Sequence, residues 1–181
     1  WCSSYAVDGN SSELDLCTGL EDWSVPAGTL LIEGPNIGQE VSCFVGQPCS
    51  IAGIEGVRLV PGDRLMVLSE CGSGSPISGF PGNGIAETQD GSNYHFLTNG
   101  SASVLASMPS VYRLCFCRPW ADVAEDCGNS SGFIALVGLM NAKGPFRGSV
   151  GCVAGETCDF PLEGFGLMAG DSLFFFRGGC G

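Results

Sequence analysis

The chain has 181 residues, of which 44% are hydrophobic and only 14% charged, with 29 glycines and a formal charge of -12. That composition excludes a solvated disordered tail and a helical bundle, and points to a turn-rich globular chain. The acidic balance argues against nucleic acid or anionic lipid as a partner, and no run reaches the roughly 18 apolar residues of a membrane helix, so no membrane insertion is expected.

Taken in chain order, residues 29–32, 57–60, 65–68, 94–97, 111–116, 133–139 and 173–176 are short runs rich in branched or aromatic side chains, bounded by Gly, Pro, Asn or Asp. Such runs predict strands. Residues 101–107 alone have a helical composition and read as a turn or short helix. Many short strands at near-regular spacing predict an all-β chain of Ig-like β-sandwich repeats, about 100 residues per domain.

Eleven cysteines stand beside a single histidine, His95, and the only close cysteine pair is Cys115 and Cys117. Zinc sites want Cys-x2-Cys or His-bearing clusters, so the cysteines read as disulfides of an oxidising compartment, and no cofactor is expected. Asn-x-Ser sequons at Asn10, Asn99 and Asn129 fit the same address. The chain therefore reads as extracellular, secreted or on the cell surface, with covalent glycans. Asp63 and Asp171 sit in Gly-Asp turns of an acidic chain, where calcium is conceivable. A lone aspartate in a turn is a poor site for an ion that takes six or more oxygens.

The chain also repeats itself. Cys17 matches Cys127, Trp23 matches Phe133, and Gly34-Pro35 matches Gly144-Pro145, at an offset of 110. Cys43, Gly46 and Cys49 match Cys152, Gly155 and Cys158 at 109. Gly56, Leu59, Gly62, Asp63 and Leu65 match Gly164, Leu167, Gly170, Asp171 and Leu173 at 108, and Cys71-Gly72 matches Cys180-Gly181. This reading divides the chain into an N-terminal segment (1–22), a first repeat (23–118), a disulfide-bearing linker (119–132) and a second, truncated repeat (133–181).

Along a strand, residues i and i+2 share a face, so Cys115 and Cys117 point one way and need separate partners. The repeat offers Cys43 with Cys49, Cys152 with Cys158, Cys117 with Cys127, Cys2 with Cys17, and Cys71 with Cys115, although spacing never fixes connectivity uniquely. Cys180 is left unpaired or intermolecular. Its partner would stand one place before Trp1, because Trp1-Cys2 aligns with Phe116-Cys117. Trp1, Cys2, Phe174, Phe175, Phe176 and Cys180 are accordingly the expected assembly residues, on an unpaired strand edge and open core that a neighbour would complete.

Leu114-Cys115-Phe116-Cys117, Gly34-Pro35, Gly62-Asp63-Arg64-Leu65 and Cys71-Gly72, with their second copies, carry a resemblance. The chain resembles a cysteine-rich tandem repeat of very large secreted or surface proteins of algae and other protists, whose units have an "LCWC" strand, a Gly-Pro strand start and a "GDxL…CG" close. Phe116 stands where that pattern has tryptophan. The resemblance implies extracellular architecture without catalytic residues, and some glycosylated extracellular filaments resemble assemblies of such units.

Three classes of function follow. A structural subunit of an extracellular filament or surface array, a homo-oligomer built head to tail by strand completion, best explains the repeat. An adhesion or carbohydrate-binding module would use aromatics such as Trp1, Tyr5, Trp23 and Trp120, which more often pack cores. An enzyme is not expected: Tyr94-His95-Phe96 alternates like a strand, which makes His95 a surface or hydrogen-bonded histidine, and the paired acids Glu21-Asp22 and Glu125-Asp126 lie in polar loops.

Overall fold

The computed structural model describes residues 23, 26–119, 127–175 and 177. The chain divides into two units, Trp1–Ile32 and Glu33–Gly181. The first, in its described residues 23 and 26–32, carries no strand, and Leu30, Leu31 and Ile32 there are exposed.

The second unit is all-β and disulfide-rich. Its strands are β1 (Gly34–Pro35), β2 (Gln39–Phe44), β3 (Ser50–Ile51), β4 (Gly56–Val57), β5 (Arg64–Leu68), β6 (Ile85–Thr88), β7 (Tyr94–Thr98), β8 (Ser101–Ala102), β9 (Ser110–Cys117), β10 (Ala135–Pro145) and β11 (Gly164–Phe165). β1 pairs with β4 as a two-stranded ribbon; the other nine form one sheet in the order β11-β10-β9-β5-β6-β7-β3, with β2 also on β10 and β8 also on β7. The sheet curls, since β2 and β3 lie at opposite ends of this order and are yet tied together by the Cys43–Cys49 disulfide across their short connection.

The alternation of β5 and β9 explains where the core sits. Leu65, Val67, Leu114 and Phe116 enter the main cluster with Ile51, Phe80, Ala86, Tyr94, Phe96, Leu105, Val137 and Met140. Met66, Leu68, Cys115 and Cys117 face the other way, into a second cluster with Cys127 and Phe133. Central strands buried on both faces are continuous apolar runs, as "RLMVL" is. Disulfides Cys71–Cys115 and Cys117–Cys127 fasten that second layer down. Each cysteine of β9 thus has a partner of its own.

Three local expectations give way. Residues 101–107 form no helix: Ser101–Ala102 is β8, and Val104 bridges to Pro48. Asn99-Gly100 makes the β7–β8 turn, both residues having positive φ, and pairing of β8 with β7 overrides the helical composition of the stretch. The run expected over 133–139 becomes β10, which starts at Ala135 and continues to Pro145, because neighbouring backbones pair with it along its whole length. Residues 29–32 and the described residues 173–175 are in no strand.

Candidate functional site: the seam between the repeats

β10 opens the second sequence repeat, yet it is built into the sheet of the first. It runs antiparallel to β9, from Ala135 opposite Phe116 to Ala142 opposite Ser110, with a bulge between Leu136 and Gly138. On its other edge it runs parallel to β2, from Gly138 beside Gln39 to Lys143 beside Phe44. Val137, Met140 and Ala142 are buried in the main core. Gly138 is required by close approach: a Cβ there would overlap the Gln39 carbonyl oxygen.

Beyond the seam the backbone of the first repeat recurs. Gly34 and Pro35 stand opposite Val57 and Gly56, and Gly144 and Pro145 opposite Phe165 and Gly164. The next amide donates across each ribbon, Asn36 N–H to the Glu55 carbonyl and Phe146 N–H to the Glu163 carbonyl, both at 2.8 Å. Gly56 and Gly164 are packed against the Gly34 and Gly144 carbonyls respectively, leaving no room for a Cβ at either. Cys43–Cys49 and Cys152–Cys158 close identical six-residue separations. The Asp63 carboxylate accepts from the Val60 N–H, and Asp171 from the Met168 N–H, each at 2.9 Å. The sequence repeat is therefore a repeat of conformation.

What differs is the surroundings of the two copies. Asp63 is fully buried, and Arg118, the residue after the β9 cysteines, forks onto it: Nε donates to Oδ1 at 2.8 Å and Nη2 to Oδ2 at 2.9 Å. Arg118 also donates to the Arg58 carbonyl (2.8 Å) and to Glu33 (3.0 Å), which accepts from Arg58 at 2.8 Å. The fork to Asp63 raises the Arg118 pKa, and the Arg58 hydrogen bond holds Glu33 below the usual carboxylate range. Bidentate pairing occupies the oxygens of Asp63 that a cation would need, and among the described residues no three His, Cys, Asp or Glu side chains converge. In the second copy Asp171 is exposed. The signal for this clamp was in the sequence, an arginine directly after the "LCFC" strand and a repeated Gly-Asp turn, but nothing in the sequence joins the two.

Other expected residues fall elsewhere. His95, on β7, pairs across strands with Ser50 and Glu87, and Glu87 with Arg64. Its Nδ1 lies 3.1 Å from the Ser50 hydroxyl, and Arg64 ion-pairs with Glu87 at 3.2 Å. The result is an open polar row on the sheet, with Ser50, His95 and Glu87 all exposed. Asn99 is exposed at its hairpin tip, and Asn129 is exposed where its side chain accepts from the Ser131 amide (3.0 Å) and hydroxyl. Asn129 lines a groove of about 460 Å³ with Arg118, Phe116, Ile134 and Ala135. Phe175 is exposed and its ring meets Phe160 edge-on, while Phe174 is exposed beside it. Trp23 is exposed. Trp1, Cys2, Tyr5, Asn10, Cys17, Trp120, Phe176 and Cys180 lie outside the described residues.

Set against known proteins, the chain matches no protein-family model and no solved structure. It is similar to Cysteine repeat modular protein B of Toxoplasma gondii, with 38% identity over 88 residues, 47% of this chain. The match is thus to a cysteine-rich repeat protein. It spans 1% of that protein's length. The four disulfides among the described residues suit an oxidising compartment, and no helix among those residues is long and apolar enough to cross a membrane.

Proposed function

We propose that this chain is a structural subunit of an extracellular glycoprotein filament or surface array, in which units of one repeat are joined head to tail by sharing strands. The observation that carries the reading is β10: the strand that begins one repeat is buried between β9 and β2 of another. A strand shared in this way forms main-chain hydrogen bonds on both edges and contributes core side chains, so the units are joined by backbone rather than by surface contact. Donor and acceptor are different surfaces, and a heterologous contact that does not close on itself propagates as a filament. Disulfides in both core clusters, Cys43–Cys49 in the main one and Cys71–Cys115 and Cys117–Cys127 in the second, suit a scaffold outside the cell, and exposed Asn99 and Asn129 suit a glycan coat. A surface or structural role also accords with the modular cysteine-repeat protein to which the chain is similar. In this reading the chain turns over no substrate and holds no cofactor.

Sedimentation velocity over a wide concentration range, with negative-stain electron microscopy of the same material, tests the proposal. Species growing in steps of one chain, seen as linear or sheet-like assemblies, are expected. A single monomeric species at every concentration would overturn it.

A further inference from the structure

The seam shows one inter-repeat strand in place, and we propose that residues 26–32 are a second strand of the same kind, pairing parallel to residues 148–152 of another copy of this chain. The inference rests on the structural reading above and names the contact by which it would occur. At the offset of 110, Gly28 corresponds to Gly138, Leu30 to Met140, Leu31 to Asn141 and Ile32 to Ala142. Met140 and Ala142 are 0% exposed, the inward positions of β10. Their counterparts Leu30 and Ile32 are 84% and 77% exposed, while Leu31, at the outward position, is 49% exposed. The side chains left most open to water are thus those that a strand neighbour and core would cover.

The acceptor is on the same chain type. Residues 148–153 correspond at 109 to β2, Gln39–Phe44, the strand along which β10 lies. Val150 and Val153 in this stretch are exposed. Carrying over the register of β10 on β2 sets Gly28 beside Gly148, Leu30 beside Val150 and Ile32 beside Cys152. Leu30 and Val150, two exposed apolar side chains, meet. Gly28 fits the position at which Gly138 comes too close to its neighbour's carbonyl for any Cβ. Each chain therefore carries one donor segment and one acceptor segment of the same contact, which makes a second copy the occupant and the arrangement head to tail.

Two variants and a cross-link test this pairing. Leu30→Asp/Ile32→Asp removes the donor and Val150→Asp the acceptor; a carboxylate buried in an apolar strand contact is expected to weaken association by about a hundredfold or more. All three positions are exposed in the single chain, so urea midpoints should stay at the wild-type value. Each variant alone should sediment as a monomer where the wild type assembles, and their mixture should stop at a dimer, because one keeps only its acceptor and the other only its donor. Benzoylphenylalanine at position 30, in a mixture of isotopically light and heavy chains, should give light-heavy cross-links to residues 149–151. If the wild type assembles and the variants assemble equally well, or the cross-links fall within one chain or elsewhere, this pairing is overturned and the structural reading stands. A wild type that never assembles overturns both.

Discussion

The guanidinium of Arg118 holds both carboxylate oxygens of Asp63, which has no exposed surface. Asp63 sits in the turn before β5 and Arg118 directly follows β9, so the pair pins together the ends of two neighbouring central strands. Replacing Arg118 with Met leaves a buried anion without its partner, and a cost of about 3 kcal/mol is expected from the urea midpoint. Arg118→Lys should recover only part of this, since an ammonium cannot fork onto both oxygens. A midpoint unchanged in Arg118→Met would show the clamp to be a surface ornament.

Gly138 gives the second prediction. A methyl group there meets the Gln39 carbonyl, and the strands must part to admit it. Gly138→Ala is expected to destabilise by about 1–3 kcal/mol. Gly151→Ala, with open space around it, should stay within about 0.5 kcal/mol of the wild type. Equal midpoints for the two variants would contradict the close packing of β10 on β2.

The disulfides differ in the loops they close. Cys71 and Cys115 are separated by 44 residues, Cys117 and Cys127 by 10. Loop entropy assigns about 4 kcal/mol to the first and about 3 kcal/mol to the second. Cys71→Ser/Cys115→Ser should therefore lower the urea midpoint more than Cys117→Ser/Cys127→Ser. The reverse order would mean that packing in the second core layer, rather than chain closure, dominates.

Acid should loosen the loop after β6. The amides of Asn93 (2.7 Å) and Ser92 (2.8 Å) and the Asn93 side chain (2.6 Å) all donate to Asp90. The Asn93 amide above all holds the Asp90 carboxyl well below its ordinary 3.8, as Arg58 holds Glu33 below 4.5. A depressed carboxylate contributes stability that is complete above the unfolded value and lost as pH falls through the folded one. Stability is expected to be level near neutrality and to fall below about pH 4.5. Asp90→Asn should flatten that acid limb in urea melts taken at successive pH values; a limb as steep as the wild type's would assign it to other groups.

Secretion from a eukaryotic host, followed by enzymatic deglycosylation in heavy-oxygen water, reports on the sequons. Asn99 and Asn129 are expected to convert to labelled aspartate, since both are exposed. Unlabelled peptides at both would remove the glycan coat from the proposed function.

The sequence by itself determined the strand class, the faces of β9 and the recurrence of the fold. Period-two alternation sends Leu114 and Phe116 to one core and Cys115 and Cys117 to the other, and residues matched between repeats take the same turns and cross-strand partners. These are properties of neighbours along the chain, which a linear pattern can record. Only the tertiary structure decided that β10 is shared between repeats, that Arg118 clamps Asp63, and that Met140 and Ala142 are buried while their repeat counterparts Leu30 and Ile32 are exposed. Each depends on which segments, tens of residues apart, come to lie side by side. A local turn can set the register of a hairpin such as β7–β8, but which distant strands become neighbours is set by packing of the whole sheet.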